Sequence, residues 1–417
     1  MHPSSVHIWR RPLAALSLLA LAACGNGADN DTADQANMAE TARKLALETI
    51  IVDGHIDVPY RLNRNWVDVS TAAPDGDFDH PRAEKGGLNA PFMSIYTPAE
   101  YGDSQKATDH ANAMIDIVER IVSEAPDKFA IAKSVAEVQA ITDAGKIALP
   151  LGMENGSPIN GSLDLLKHFH DRGIRYITLA HSKSNHLSDS SYDPERQWDG
   201  LSDFGRTVVQ EMNDLGIMVD VSHLSDKAIE DVLETSRAPV IASHSSVRAF
   251  TPGFERNLSD PLIKAIANKG GVVMINYGSA FVTARANGYR PARTEAYMTY
   301  LDREGLDDTQ KVREAFEKRY REDNPYPYAD ISDVVDHIDH VVDLVGIEHV
   351  GLGSDYDGVG DSLPTGLKDV SSYPDLVERL LGRGYSEEDI KLILSGNALR
   401  VWQQVETIAA EAQADAA

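Results

Sequence analysis

The sequence predicts an α/β fold, a (β/α)8 TIM-like barrel with helical insertions, from three observations. Short β-branched apolar segments alternate with longer stretches at helical spacing, eight of the short segments can be counted, and no fixed-period repeat appears. Such alternation implies βα units around a parallel sheet, and eight strands close a barrel. A doubly wound open sheet is the structural alternative. With 417 residues, 42% hydrophobic and 25% charged, the chain can bury a sizeable core, and composition excludes wholesale disorder and a coiled-coil fibre.

Strands are predicted near 50–57, 91–96, 148–154, 176–181, 217–223, 240–244, 271–276 and 349–355. Helices are predicted over 164–172, 203–215, 225–236, 260–268 and 331–345, with Ser225 and Asp260 as N-caps. Two segments exceed the minimal βα unit. Residues 100–145 read as helical between strands two and three, and the charged stretch 285–330 is inserted before the last helix.

The N-terminus has a different character. Arg10 and Arg11 precede an apolar run over 13–23, too short to cross about 30 Å of hydrocarbon but suited to a signal-peptide core. The run ends Leu21-Ala22-Ala23-Cys24-Gly25, which resembles a bacterial lipoprotein signal, so Cys24 is expected to carry lipid. Cys24 is the only cysteine, and a lone thiol in an exported chain can form no internal disulfide. The expected organisation is a signal peptide over 1–23, a flexible small and polar tether over 24–39, a barrel domain over 40–408 and a frayed tail over 409–417. The mature protein would then be anchored to a lipid bilayer, facing the periplasm or the cell surface. Its 65 acidic against 39 basic residues give a formal charge of −26, which repels phosphate backbones and excludes nucleic acid as an expected partner.

Barrel enzymes place their chemistry at the C-terminal ends of strands. The first predicted strand ends Val52-Asp53-Gly54-His55-Ile56-Asp57, where period-2 alternation turns His55 and Asp57 to one side. Glu154 closes the third, His181 the fourth, His223 the fifth, His244 the sixth and Asp355 the eighth. Any one could be a satisfied core residue; seven from six strand ends at one barrel mouth point to a divalent metal site, most simply two ions sharing a bridging carboxylate. Imidazole and carboxylate donors without thiolate suit zinc, with manganese, cobalt or nickel possible on ligand grounds. Two such cations would lower the pKa of a shared water and polarise a carbonyl, so hydrolysis of an amide or ester is the expected chemistry. His168, His170, His337, His340 and His349 are assigned to surface or packing.

These motifs resemble the renal or membrane dipeptidases, metallopeptidases of the amidohydrolase-like barrel type. Asp53-Gly54-His55-Ile56-Asp57 is similar to the family's opening D-G-H-x-D, and the segments ending in His223 and His244 are similar to its two histidine segments. Gly351-Leu352-Gly353-Ser354-Asp355 is similar to its last-strand aspartate motif, and the resemblance runs over about 50–405. It implies His55, Asp57 and Glu154 on one zinc, and Glu154, His223 and His244 on the other, with Glu154 as the bridge. It also implies that His181 faces the substrate, that Arg256 receives the substrate carboxylate and that Asp355 is the acid/base; by period-2 alternation Asp357, two residues on, is a rival of the same side-chain orientation if the strand continues. Vertebrate members use disulfides, including one between subunits; this chain cannot, so the homodimer the resemblance suggests would be non-covalent. An arginine fork for the terminal carboxylate would also select for length, because a longer peptide leaves that buried cation facing an amide. Two other readings stay open: a lactonase or cyclic-amide hydrolase with Lys183 as a carboxylated bridge, and a non-enzymatic lipoprotein that binds zinc or a solute.

Overall fold

In the computed structural model, which describes residues 27–415 with side chains from residue 35 onward, parallel strands close on themselves. The strands are β1 (Val52–Ile56), β2 (Ala90–Tyr96), β3 (Phe129–Ile131), β4 (Ile147–Leu149), β5 (Leu151–Glu154), β6 (Ile174–Thr178), β7 (Met218–Asp220), β8 (Ile241–Ala242), β9 (Val272–Ile275) and β10 (Val350–Leu352). All but β3 and β4 form the barrel, each hydrogen-bonded to the next barrel strand in the chain, with β10 returning to β1. Closure leaves no sheet edge, which sets the open doubly wound alternative aside.

Alternation along the strands divides the core into two shells. Val52, Phe92, Tyr176, Met218, Val272 and Met274 point into the barrel, where Trp402 of the last helix, Asn397–Asp415, joins them. Their neighbours Met93, Ile95, Ile177, Val219, Val273 and Ile275 face the surrounding helices. Three helices have the expected bounds, Asp203–Leu215, Asp260–Asn268 and Ile331–Val345. Ser225 caps Asp226–Thr235 by accepting from the Ala228 amide, but Asp260 is the first residue of its helix and Ser259 holds the cap position.

Four further expectations are corrected. The third predicted strand is two, because Pro150 has no N–H to donate to a ladder; its carbonyl accepts from Met93 N at 2.8 Å, while β4 leaves the barrel to pair with β3. Residues 100–145 are not all helical: β3 lies between helices Gln105–Glu124 and Val135–Asp143, and three residues are too few to show a period. The tether is helical from Gly27, in a helix that runs to Glu48 and buries Ala42, Leu45 and Ala46. The tail is helical to Asp415, its alanines and glutamates being good helix formers, with Ala409 buried and Gln413 Nε2 donating to the Asp214 carbonyl. The signal segment 1–23, Cys24 and the last two residues lie outside the described residues. Among the described residues no helix is long and apolar enough to cross a membrane. The inserted stretch forms helices Ala284–Asn287, Tyr289–Glu304 and Gln310–Asp323, the latter two packed around Tyr297, Leu301 and Phe316.

Candidate metal centre and active-site cavity

The polar side chains expected at the strand ends do converge, although most do not belong to strands. His55 and Glu154 lie within β1 and β5, and Asp57 follows β1 directly. His181, His223, His244 and Asp355 stand two or three residues beyond β6, β7, β8 and β10, on the loops into the next helices. His223 and Asp355 adopt left-handed φ values of 70° and 63°, conformations that cost energy for residues other than glycine and concentrate at functional sites.

Glu154 is at the centre of four imidazoles. One carboxylate oxygen lies 3.0 Å from His223 Nε2, 3.4 Å from His244 Nε2 and 3.5 Å from His181 Nε2; the other lies 3.7 Å from His55 Nε2. His55 Nε2 is also 3.5 Å from Asp57, and the His223 and His244 Nε2 atoms are 2.9 Å apart. Among the described residues three groups have donor atoms within 4.8 Å of one another: His55, Glu154 and His244; Glu154, His181 and His223; His55, Asp57 and Asp355. Glu154 belongs to two of them. Relative to the sets implied by the resemblance, His244 stands in place of Asp57 in the first and His181 in place of His244 in the second, while Asp57 joins His55 and Asp355 in the third.

This donor set fits a divalent cation. His55 Nε2 and Asp57 Oδ1 are buried and have no hydrogen-bond partner, a costly state for polar atoms unless a cation takes the lone pairs. The second rank of residues points the same way. His55 Nδ1 lies 2.7 Å from Tyr176 Oη, and His244 Nδ1 lies 2.7 Å from Ser243 Oγ, which donates to Asp220 at 2.7 Å. With Nδ1 engaged, each ring turns Nε2 toward Glu154, the arrangement that orients metal-ligating imidazoles. Two glycines make the approach possible: a Cβ at Gly152 would lie 2.0 Å from the Tyr176 ring, and one at Gly358 would lie 2.2 Å from both Asp57 and Asp355.

Electrostatics sharpen the picture. Burial pushes the Glu154 carboxyl well above its ordinary value, and Asp57 and Asp355 add to this. Burial lowers His55, but Glu154 and Asp57 outweigh it and hold a proton there up to about 10. The field that holds this proton equally favours a metal cation in its place. Burial with Arg256 nearby lowers His181 to about 3 and depresses His223 and His244, so these rings are neutral and able to donate lone pairs. Burial raises Asp355 to about 6, with Asp57 adding to it and His55 opposing.

Above the cluster opens a cavity of about 1690 Å³, lined by Asp57, Glu154, His181, His223 and Asp355, with Tyr60, Tyr96 and Tyr192. His55 and His244 lie beneath it, fully buried. Arg256 is 2% exposed; Nη1 donates to Ser245 Oγ at 2.7 Å, Nη2 donates to the His244 carbonyl at 2.8 Å, and Nε has no partner. Asp355 accepts from Asn276 Nδ2 at 2.8 Å. Its rival Asp357 does not share its orientation along a strand, since β10 ends at Leu352; Asp357 is tied to Arg61 at 2.9 Å and to the Asp77 amide at 2.7 Å. Lys183 is exposed in the loop after β6, and the carboxylate that meets the imidazoles is that of Glu154. His337 is buried between the Val247 amide and the Val282 carbonyl, and His168, His170, His340 and His349 also bond away from the centre.

Sequence reasoning passed over Tyr176, Asp220, Ser243 and Asn276. Two left a signal: Asp220 is a carboxylate inside an apolar run, and Asn276 closes the seventh predicted strand as the other polar residues close theirs. Tyr176 and Ser243 left none, because their value lies in contacts across the barrel.

A family model described as membrane dipeptidase (Peptidase family M19) matches residues 39–416. Dipeptidase aclJ of Aspergillus oryzae (strain ATCC 42149 / RIB 40) is 36% identical over 341 residues, 80% of this chain and 71% of the relative. Among solved structures, the probable dipeptidase PvdM from Pseudomonas aeruginosa superposes with a TM-score of 0.79 at 28% identity, covering 90% of this chain and all of that one. A metallo peptidase from Rhodobacter sphaeroides, liganded with a phosphinate mimic of the dipeptide L-Ala-D-Ala, superposes with a TM-score of 0.70 at 27% identity, covering 86% of this chain and all of that one.

Proposed function

The chain belongs to the membrane dipeptidase family, peptidase family M19, and is a metal-dependent dipeptidase; on that premise we propose that it cleaves free dipeptides with two zinc ions held around Glu154. The observation that carries this reading is the Glu154 carboxylate turned toward four imidazole nitrogens, with Asp57 beside them. His55, Asp57 and Glu154 would hold one ion and Glu154, His223 and His244 the other. When bound, the ions would make a hydroxide nucleophile available near neutral pH and polarise the scissile carbonyl.

The chain's own residues supply the rest. Tyr176 orients His55, and the Asp220–Ser243 pair orients His244. His181, on the cavity wall, is the donor toward the oxyanion that develops on the carbonyl oxygen. Asp355 carries a proton to the leaving amine, and a carboxyl that holds its proton up to about 6 can exchange it near neutral pH. Arg256, anchored through both Nη atoms, provides the buried positive charge for the substrate's terminal carboxylate. The dipeptide mimic held by the Rhodobacter sphaeroides relative supports a substrate of two residues.

The deciding experiment is a dipeptide panel assayed with zinc and with a chelator. Turnover with zinc and loss with chelator is expected; a zinc-loaded, folded protein that cleaves no dipeptide would end this reading. A finer expectation separates substrate residues from ligands. His181→Ala should keep both ions and lose activity by roughly 10²-fold to 10³-fold, the usual cost of an oxyanion donor. Arg256→Ala should mainly raise KM for dipeptides with a free carboxylate, and cleavage of amidated dipeptides by the parent at equal rate would remove that role from Arg256.

From the apolar run over 13–23 ending at Cys24 we further propose that the enzyme is an exported lipoprotein anchored in a bilayer through Cys24 and facing the periplasm or the cell surface, and from the family resemblance that it is a non-covalent homodimer. Acyl chains contribute about 0.8 kcal/mol per buried CH₂, so the anchor needs no help from the acidic domain. Mass spectrometry of the native N-terminal peptide should find lipid on Cys24. An unmodified Cys24, or a mature start elsewhere, would refute it.

A further inference from the structure

The inserted helices Tyr289–Glu304 and Gln310–Asp323 do more than decorate the barrel: they bring arginines to the cavity of a strongly acidic protein. Arg290 and Arg293, one turn apart on one helix, line the cavity with Arg321 of the next helix and Arg64 from the helix Val58–Arg64 after β1. Their neutralisation is incomplete. Glu317 is shared by Arg293 at 3.6 Å and Arg321 at 3.5 Å, one carboxylate between two guanidiniums. Arg64 and Arg290 have no ion-pair partner among the described residues. By contrast Arg61, which also lines the cavity, is committed to Asp357 and to the Asp75 and Phe78 carbonyls. The one acidic residue on this wall beyond the metal cluster and Asp357 is Asp361, which sits near Tyr328.

Size gives the wall something to act on. At about 1690 Å³ the cavity exceeds the roughly 300 to 1,000 Å³ of ordinary small-ligand pockets, so a dipeptide over the metal cluster leaves room toward the insertion. In a chain of net charge −26, a local excess of guanidinium also concentrates anions at that mouth.

We propose that this arginine wall makes the enzyme selective for dipeptides with an anionic side chain, the carboxylate pairing with Arg290 and Arg64 while Arg293 and Arg321 add to the positive field. The inference rests on the dipeptidase reading but concerns a different part of the cavity. Guanidinium is suited to the role because it presents a planar fork to a carboxylate and keeps its charge at any physiological pH.

The test compares isosteric pairs, Ala-Glu with Ala-Gln and Glu-Ala with Gln-Ala, by kcat/KM in the zinc-loaded enzyme and by calorimetric binding. The acidic member of at least one pair should be favoured about tenfold at low salt, and the advantage should shrink at 0.5 M salt, where screening acts within roughly 4 Å. Arg290→Gln with Arg64→Gln should bring the ratio near one, and Arg290→Glu should invert it, with a thermal melt confirming that each variant folds. Equal affinity and equal kcat/KM for the acid and amide in both orders would overturn the proposal. So would an acid preference that survives in the folded double variant. Failure of every dipeptide to turn over would instead defeat the dipeptidase reading, and the binding ratio would still decide the arginine wall.

Discussion

Replacing Glu154 with Gln is expected to strip the protein of tightly held metal and to reduce dipeptide hydrolysis on the order of 10³-fold or more. The carboxamide nearly preserves shape but removes the only negative charge that faces His181, His223, His244 and His55 together. Imidazoles alone would then surround a neutral oxygen and an amide whose N–H groups point at the site a cation needs. A bound ion contributes several kcal/mol of charge stabilisation to such a reaction, and each 1.4 kcal/mol or so is tenfold in rate. Elemental analysis of the purified variant checks the first half and kcat/KM the second. Two ions held as firmly in Glu154→Gln as in the parent would show that the bridge lies elsewhere.

Asp355→Asn should have the opposite signature: full metal content, near-normal binding of an inhibitor, and turnover reduced by roughly 10² to 10⁴, the range for a positioned acid/base. The amine of a cleaved peptide is too poor a leaving group to depart without a proton, and Asp355 is the buried carboxyl on the cavity whose proton is held up to about 6 by burial and by Asp57. Asparagine can keep the contact with Asn276 after rotating its amide, so geometry is retained while proton transfer is lost. Asp357→Asn is the control. It should cost stability by weakening the contact with Arg61 and the Asp77 amide but leave most of the turnover. Loss of metal from Asp355→Asn would make that residue a ligand, and collapse of turnover in Asp357→Asn alone would transfer the acid/base role to it.

The two variants also show what each level of description can reach. Glu154 and Asp355 were visible in the sequence because a carboxylate after an apolar run, repeated from strand to strand at βα spacing, has one common destination in a barrel: its C-terminal mouth. The same logic found His55, Asp57, His181, His223 and His244. Period and composition are local properties, and they were enough to predict eight barrel strands, five of the helices around them and a cluster of histidines and carboxylates at one end. Strand ends were less legible. His181, His223, His244 and Asp355 were expected on strands and stand on loops, because where a ladder stops depends on which neighbour is available to pair, not on the residues of one segment. Irregular chain was misread for a related reason. The segments 27–39 and 409–415 carry few large apolar residues, yet each continues a helix whose neighbouring turns bury Ala42, Leu45, Val405 and Ala409.

By itself, then, the sequence determined the barrel and the set of histidines and carboxylates that meet at its mouth, since both follow from which side chains recur at which spacing. Tertiary structure alone decided how those residues are held and what stands opposite them. Tyr176 reaches His55 across 121 residues of chain and Asp220 reaches His244 through Ser243, while Asp357 on the cavity wall is held by Arg61, 296 residues distant. The arginines of the insertion meet Arg64 of the first βα unit on one cavity wall, which no local pattern in either segment announces. Hydrogen bonds, fields and cavities depend on distance in space, and the closed barrel brings its first and last strands side by side, so residues remote in sequence share one low-dielectric site.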